Sequence, residues 1–220
     1  MIRGYRLDWG AALNFMPLLL QGVLATLRIS AVSILLAIPI GVALAFMRIS
    51  RNKVANALSS AYIEFVRGIP LLVLLMFIYF GFGGFVNISA MVAAVSGLAL
   101  FTGAFVAEIV RAGIQSIPKG QMEAARASGM TYFQAMRLVI IPQAMRRIIP
   151  PLTGQFISLV KDSSLVSTIS VADLTLQTRN VVVVTFRSFE TWTITALLYF
   201  AMTFGLSRLF RILESRFRAE

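Results

Sequence analysis

Neither cysteine nor histidine occurs anywhere in the 220 residues. Disulfides, thiol nucleophiles, imidazole metal ligands and histidine proton relays are therefore excluded together. Charge is almost as scarce. Asp, Glu, Lys and Arg make up 13% of the chain, against about a quarter in a soluble domain. Acidic residues are the scarcer sign, 9 against 20 basic. No Gly-x-x-x-x-Gly-Lys-Ser/Thr sequence is present, so the phosphate-binding loop of that kind is missing. No catalytic residue and no metal site is expected, and no stretch is polar enough for a soluble nucleotide-binding domain.

What fills the chain is apolar surface: 58% of residues are hydrophobic, 15 are glycine, and the mean hydropathy is +0.84. That excess exceeds what one globular core can hide, so lipid must be the solvent for much of the surface. Glycine is commoner in transmembrane helices than in soluble ones, which agrees. The net charge of +11 does not indicate nucleic acid. The Lys and Arg residues fall in short clusters between apolar runs, whereas a nucleic-acid binder gathers them on one soluble face. Arg3, Arg6 and Asp8 precede a long apolar run without a small-residue cleavage pattern, so the first span is expected to act as its own insertion signal.

A helix needs about 20 mostly apolar residues to span a bilayer. The runs that meet this are 18–47, 54–82, 88–110, 150–169 and 192–210, separated by a polar stretch at 111–147. The expectation is an all-α integral membrane protein, one transmembrane domain over 1–220 with five transmembrane helices. The fourth span is the weakest, with Lys161 and Asp162 in its middle. Basic residues fix the orientation, because they concentrate on the cytoplasmic side. With the N-terminus outside, the inner segments hold Arg48, Arg51 and Lys53, then Arg111, Lys119, Arg126, Arg137, Arg146 and Arg147, then Arg208, Arg211, Arg216 and Arg218. The outer segments hold only Arg3, Arg6, Arg179 and Arg187, and the loop Gly81–Asn87 carries no charge. The N-terminus is thus expected outside and the C-terminus inside.

The inner segment 111–147 is patterned. Pro118 is read as the stop of the third helix, and Lys119 to Ser128 as a short helix of good helix formers. Gly129 suits a helix C-terminus that needs a left-handed residue. Thr131 is a candidate N-cap for a second short helix, Tyr132 to Ile140, with Pro142 expected to end it. On periodicity alone this is an amphipathic two-helix hairpin at the membrane surface.

The residues themselves are more specific. Glu123-Ala124-Ala125, then Gly129, then Val139-Ile140-Ile141-Pro142 resembles the EAA motif of binding-protein-dependent ABC importer permeases. That pattern is Glu-Ala-Ala, three residues, Gly, nine residues, Ile-x-Leu-Pro; this chain departs from it by Val139 and Ile141. The segments Glu64-Phe65-Val66-Arg67-Gly68-Ile69-Pro70-Leu71 and Lys161-Asp162-Ser163-Ser164-Leu165 look like the polar amino acid branch of that family. The likeness runs from about Leu18 to Phe217. It implies five helices per subunit, two subunits per transporter and a bacterial inner-membrane location. It also implies that the loop couples to separate ATP-binding subunits through Glu123, Ala124, Ala125, Arg126, Gly129 and Pro142. ATP and Mg would reside on those subunits, with no cofactor on this chain. The implied partners are a second permease subunit (identical or homologous), two ATP-binding subunits, an external solute-binding protein, the amino acid and membrane lipid.

Ionisable groups at bilayer depth are costly and mark function by default. Counting about 1.5 Å per helical residue, Glu64 and Lys161 fall near the midplane, with Arg67 and Asp162 close by. Arg28 lies near the outer interface and can snorkel. Glu64 and Arg67 could neutralise each other on one helix face. A buried polar cluster that holds helices together is one reading of these residues. The other is a pathway for a zwitterion, in which Lys161, Ser163 and Ser164 meet its carboxylate and Asp162 or Glu64 its ammonium. Breaks at Gly68-x-Pro70 and Asp162-Ser163-Ser164 favour the second, because interrupted helices expose backbone groups to solute. Glu108 and Arg111 read as a local ion pair. An alternative function, a secondary transporter or channel subunit built on the same charges, leaves the inner loop without a purpose. A membrane-anchored assembly factor explains neither feature.

Overall fold

A computed structural model describes residues 6–82, 85 and 87–218; for Phe82 and residues 213–218 it describes the backbone alone. Arg3 and the side chains of Arg216 and Arg218 fall outside the described part, as do three positions of the Gly81–Asn87 loop. The described residues form helices and no strand. In chain order these are α1 (Trp9–Leu13), α2 (Met16–Ile49), α3 (Lys53–Gly68), α4 (Leu71–Met76), α5 (Ala90–Gln115), α6 (Lys119–Ala127), α7 (Tyr132–Ala135), α8 (Ile141–Asp162), α9 (Leu174–Thr185) and α10 (Ser188–Arg218). A π-turn, Phe77–Phe82, extends α4. A second, Met136–Ile140, joins α7 to α8, and a 3-10 segment, Ser163–Ile169, follows α8.

Among the described residues, three helices are long and apolar enough to cross a membrane: Met16–Ile49, Ala90–Gln115 and Ser188–Ile212. A fourth candidate is a bent pair, Lys53–Gly68 with Leu71–Gly81, turning through 107°. The bend falls at Ile69-Pro70, as expected where Pro70 forces the preceding residue out of the α region: Ile69 is extended, at φ −111° and ψ 147°. The expected third span is longer than its apolar run, because α5 continues through Arg111 to Gln115.

The fourth expected span needs correction. Its helix does not begin at Pro150, and Pro142 does not end the preceding one. α8 starts at Ile141 and runs through Pro142, Pro150 and Pro151 to Asp162. The π-turn lets the helix pass Pro142: the Ile141 N–H bonds to the Met136 carbonyl, five residues back. This wider turn accommodates a proline ring that would collide with a regular turn.

The chain divides into two compact units. One comprises residues 1–33, 71–98 and 159–206. Its core gathers Ala12, Leu19, Leu174, Val181 and Ile194. Several buried polar groups there pair with one another. The Leu174 N–H donates to Thr26 Oγ1 at 3.1 Å, and Thr178 and Thr195 share a 2.6 Å hydroxyl contact. The Asp173 carboxylate caps α9 by accepting from the Leu176 N–H at 2.8 Å, and accepts from Tyr199 Oη at 3.3 Å. Burial nevertheless pushes the Asp173 carboxyl above its ordinary range. α9 lies within what hydropathy reads as the loop between the fourth and fifth spans; an acidic N-cap three residues ahead of a backbone donor was its available signal.

The other unit comprises residues 34–70, 99–158 and 207–220. Its core joins Ala45, Ile63, Val106, Ala107, Val110, Ile117, Ile140, Ala144 and Ile148. Small residues let α2 and α5 approach closely. A Cβ on Gly41 would stand 2.5 Å from the Val106 Cβ, and one on Gly103 would stand 2.9 Å from Ile40 Cγ2. Each glycine thus receives the neighbour of the other, the close packing that small residues permit between membrane helices.

Candidate functional site

The EAA-like segment folds as two short arms with a sharp joint, all within the second unit. α6 ends in a Schellman motif: the Met130 N–H bonds to the Ala125 carbonyl at 3.2 Å and the Gly129 N–H to the Arg126 carbonyl at 3.1 Å. Gly129 takes φ +85°, a left-handed conformation that costs a residue with a Cβ. Arg126 Nη1 reinforces the joint by donating to the Met130 carbonyl at 2.8 Å. The next arm opens on a full capping box: Thr131 Oγ1 accepts from the Gln134 N–H, and Gln134 Oε1 accepts from the Thr131 N–H. Local sequence chemistry therefore sets the bend on both sides.

α6 has two faces. Ala125 is buried and Met122 packs against the core with Met136 and Val139. Gly120, Glu123, Ala124 and Ala127 are exposed at helical spacing i, i+3, i+4 and i+7. The outward stripe is thus one carboxylate among side chains no larger than methyl. Ala125 contributes packing rather than outward surface, since it sits about 200° around the helix from Glu123. Pro142 is exposed in the first turn of α8.

The loop is also tied to the long helices on either side. Gln143 Nε2 donates to Gln121 Oε1 at 3.2 Å, and Arg147 Nη1 donates to the Ser116 carbonyl at 2.5 Å. Ile117, Ile140, Ala144 and Ile148 share one core with Val106 and Val110 of α5. The loop thus packs with α5 and α8 in a single core.

Above that core, five charged side chains form one cluster. Glu108 is its centre: Arg111 reaches it with two bonds, 3.1 Å from Nε and 2.8 Å from Nη2, while Arg48 lies 3.4 Å and Arg67 3.6 Å away. Arg48 also holds Glu64 at 3.3 Å, and Arg67 stacks over the Phe105 ring at 5.2 Å. The expected Glu108–Arg111 pair is present, as part of something larger. The expected Glu64–Arg67 pair is replaced by separate partners, Arg48 for Glu64 and Glu108 for Arg67, because long arginine side chains from neighbouring helices outreach the i, i+3 geometry. Arg48 was legible only as an orientation signal; its return beside α3 through the Asn52-capped turn, where the Asn56 side-chain amide donates to the Arg48 carbonyl, was the missed clue.

Lys161, Asp162, Ser163 and Ser164 belong to the first unit, at the junction where α8 gives way to the 3-10 segment. The expected weakening of the helix at Asp162-Ser163-Ser164 is therefore present. Lys161 is exposed and Asp162 half-buried, and among the described residues neither forms an ion pair. Ser163 is fully buried and donates to the Val160 carbonyl at 2.8 Å. Its hydroxyl is thus committed within the chain, while the two ionisable groups are not.

The chain as a whole is similar to known proteins. The chain is 42% identical over 198 residues to the Probable glutamine ABC transporter permease protein GlnM of Bacillus subtilis strain 168, covering 90% of this chain and 92% of that one. It is 38% identical over 214 residues to the Glutamine transport system permease protein GlnP of Escherichia coli K12, covering 96% and 98%. Among solved structures, a chain of an amino acid ABC transporter crystallised with histidines matches with a TM-score of 0.92 and 43% identity, over 96% of this chain and all of that one. The family profile matches residues 37–219: this chain belongs to the binding-protein-dependent transport system inner membrane components.

Proposed function

We propose that the chain is the membrane-spanning subunit of an ATP-driven importer that moves a polar amino acid delivered by an external solute-binding protein. The named relatives are amino acid permeases, two of them for glutamine, and the substrate class follows from them. The observation that carries the coupling is the loop itself. A capped joint at Gly129, a small-residue stripe through Glu123 and a shared core with α5 and α8 make a rigid knob that transmits motion. Two ATP-binding subunits dock on that stripe, and a second permease subunit, identical or homologous, completes the pore. ATP and Mg reside on the docked subunits, and this chain performs no catalysis.

The bilayer reading is one domain of five spans in the inner membrane, N-terminus outside and C-terminus inside. Basic residues around α6 to α8 support that side as cytoplasmic. The fourth of these spans is α8, whose charged residues and prolines keep it from qualifying on hydropathy. Lys161 and Asp162, unpaired at a helix break, are the groups offered to the substrate's carboxylate and ammonium. Glu64 and Arg67, engaged by Arg48 and Glu108, act in holding or gating the inner half.

Purification of the tagged chain from native membranes tests the assignment: ATP-binding subunits accompany it if the reading is right, and their absence defeats it. Glu123→Lys and Gly129→Asp should abolish ATP-dependent uptake in reconstituted vesicles while membrane insertion stays normal. Wild-type uptake by both variants would refute the coupling role.

A further inference from the structure

A groove of ≈ 870 Å³ lies beside the loop, within the second unit, and the docking stripe does not line it. Phe46 from the last turn of α2 and Arg51 from the following turn form one wall. Arg126, Tyr132, Phe133 and Arg137 form the other. No carboxylate lines it, and among the described residues none of its three arginines forms an ion pair. Its aromatic walls are open: Phe46 is 40% exposed, Tyr132 59% and Phe133 71%.

Three unneutralised guanidinium groups call for an anion, and the aromatic walls call for something apolar joined to it. A free inorganic anion would use the arginines and leave the walls wet. The wall formed by Phe46 is the end of a helix long and apolar enough to cross a membrane, so the groove stands at the depth of lipid headgroups. Tyrosine at such a level is favoured for its amphipathic ring. Basic pockets at the cytoplasmic ends of spanning helices suit anionic headgroups.

We propose that this groove binds one anionic phospholipid, its phosphate held by Arg51 and Arg137 and its first acyl carbons along Phe46, Tyr132 and Phe133. A lipid seated there touches both the end of α2 and the arm that carries the knob, so bilayer charge would bear on coupling. The inference rests on the orientation given above, with the loop on the cytoplasmic face.

The test is native mass spectrometry of the intact transporter complex, delipidated and offered equal phosphatidylglycerol and phosphatidylethanolamine. The wild type should retain phosphatidylglycerol preferentially. Arg51→Gln with Arg137→Gln should lower that preference roughly 10- to 30-fold, given the contribution of each basic residue near an anionic surface. Arg51→Lys with Arg137→Lys should keep most of it, separating charge loss from misfolding. Equal retention by the wild type and the glutamine variant overturns the proposal. So does displacement by millimolar inorganic phosphate, which would make the groove a free-anion site. Loss of the ATP-binding subunits with lipid retention unchanged overturns it too, in favour of a protein contact. A Lys53→Cys reporter in the naturally cysteine-free chain keeps the orientation separate. Labelling from outside defeats the topology, whereas labelling from inside without lipid preference defeats the lipid site alone.

Discussion

At Glu108 one carboxylate answers three guanidinium groups from three helices. Its side chain is 18% exposed, so the balance is held with little help from water. Glu108→Gln leaves Arg48, Arg67 and Arg111 facing one another and should lower stability by about 2 kcal/mol. Thermal unfolding in detergent measures this, and an unchanged Tm would mean that the arginines find other partners at no cost. Asp173 makes a contrary prediction. Burial raises its carboxyl in the folded state, so the protonated form is favoured by folding. Its stabilising contribution is present below the ordinary Asp value and is lost as pH rises through the raised one. Asp173→Asn, whose amide oxygen can still cap α9, should flatten that part of the pH–stability curve; a curve parallel to wild type would rule the effect out. The two residues differ in legibility. Asp173 sits directly ahead of the helix it caps, a local signal present in the sequence. Glu108 announces only Arg111, because Arg48 and Arg67 reach it through helix pairing that no local pattern encodes.

Among elements, the loop's joint was the most legible part, since Gly129 and Thr131 carry their backbone chemistry with them. α8 was the least legible. Pro142 read as a terminator and Pro150 as the start of a new run, yet a π-turn and helix continuity override both. The contact between α2 and α5 depends on absence of bulk rather than on any attractive group. Gly41→Leu would drive a side chain into Val106 and should cost about 1–3 kcal/mol or more through overpacking. Size-exclusion chromatography and thermal unfolding would report the loss. If Gly41→Leu leaves both unchanged, the helices are not pressed together at that point. Periodicity could not reveal this contact, because a glycine in an apolar run says nothing about which neighbour fills its space.

For the whole molecule, composition identified a membrane protein before any element was placed, and basic-residue bias supplied an orientation. Hydropathy handled straight, uniformly apolar helices well, as in α2, α5 and α10. It also found the bent pair of α3 and α4, which qualifies when its two arms are taken together, but it misjudged α8, whose arginines and prolines dilute the signal. The chain's lack of cysteine makes the orientation directly testable. Single reporters at Lys53 and Ser188 should react with an impermeant maleimide on opposite faces, Ser188→Cys in intact cells and Lys53→Cys only after the membrane is opened. Reaction of both from the same side would overturn the arrangement of spans.

The π-turn between α7 and α8 carries a consequence for how such a loop can change. A helix passes direction along its length as an angle, and one residue is worth about 100° of it. The surplus residue in Met136–Ile140 therefore sets the bearing of the Glu123 stripe about the axis of α8. That bearing can be altered only in whole-residue steps. Inserting or deleting one residue in this stretch would swing the stripe to another compass point rather than nudge it. The spacing between Gly129 and Pro142 is thus held as firmly as the capping residues themselves.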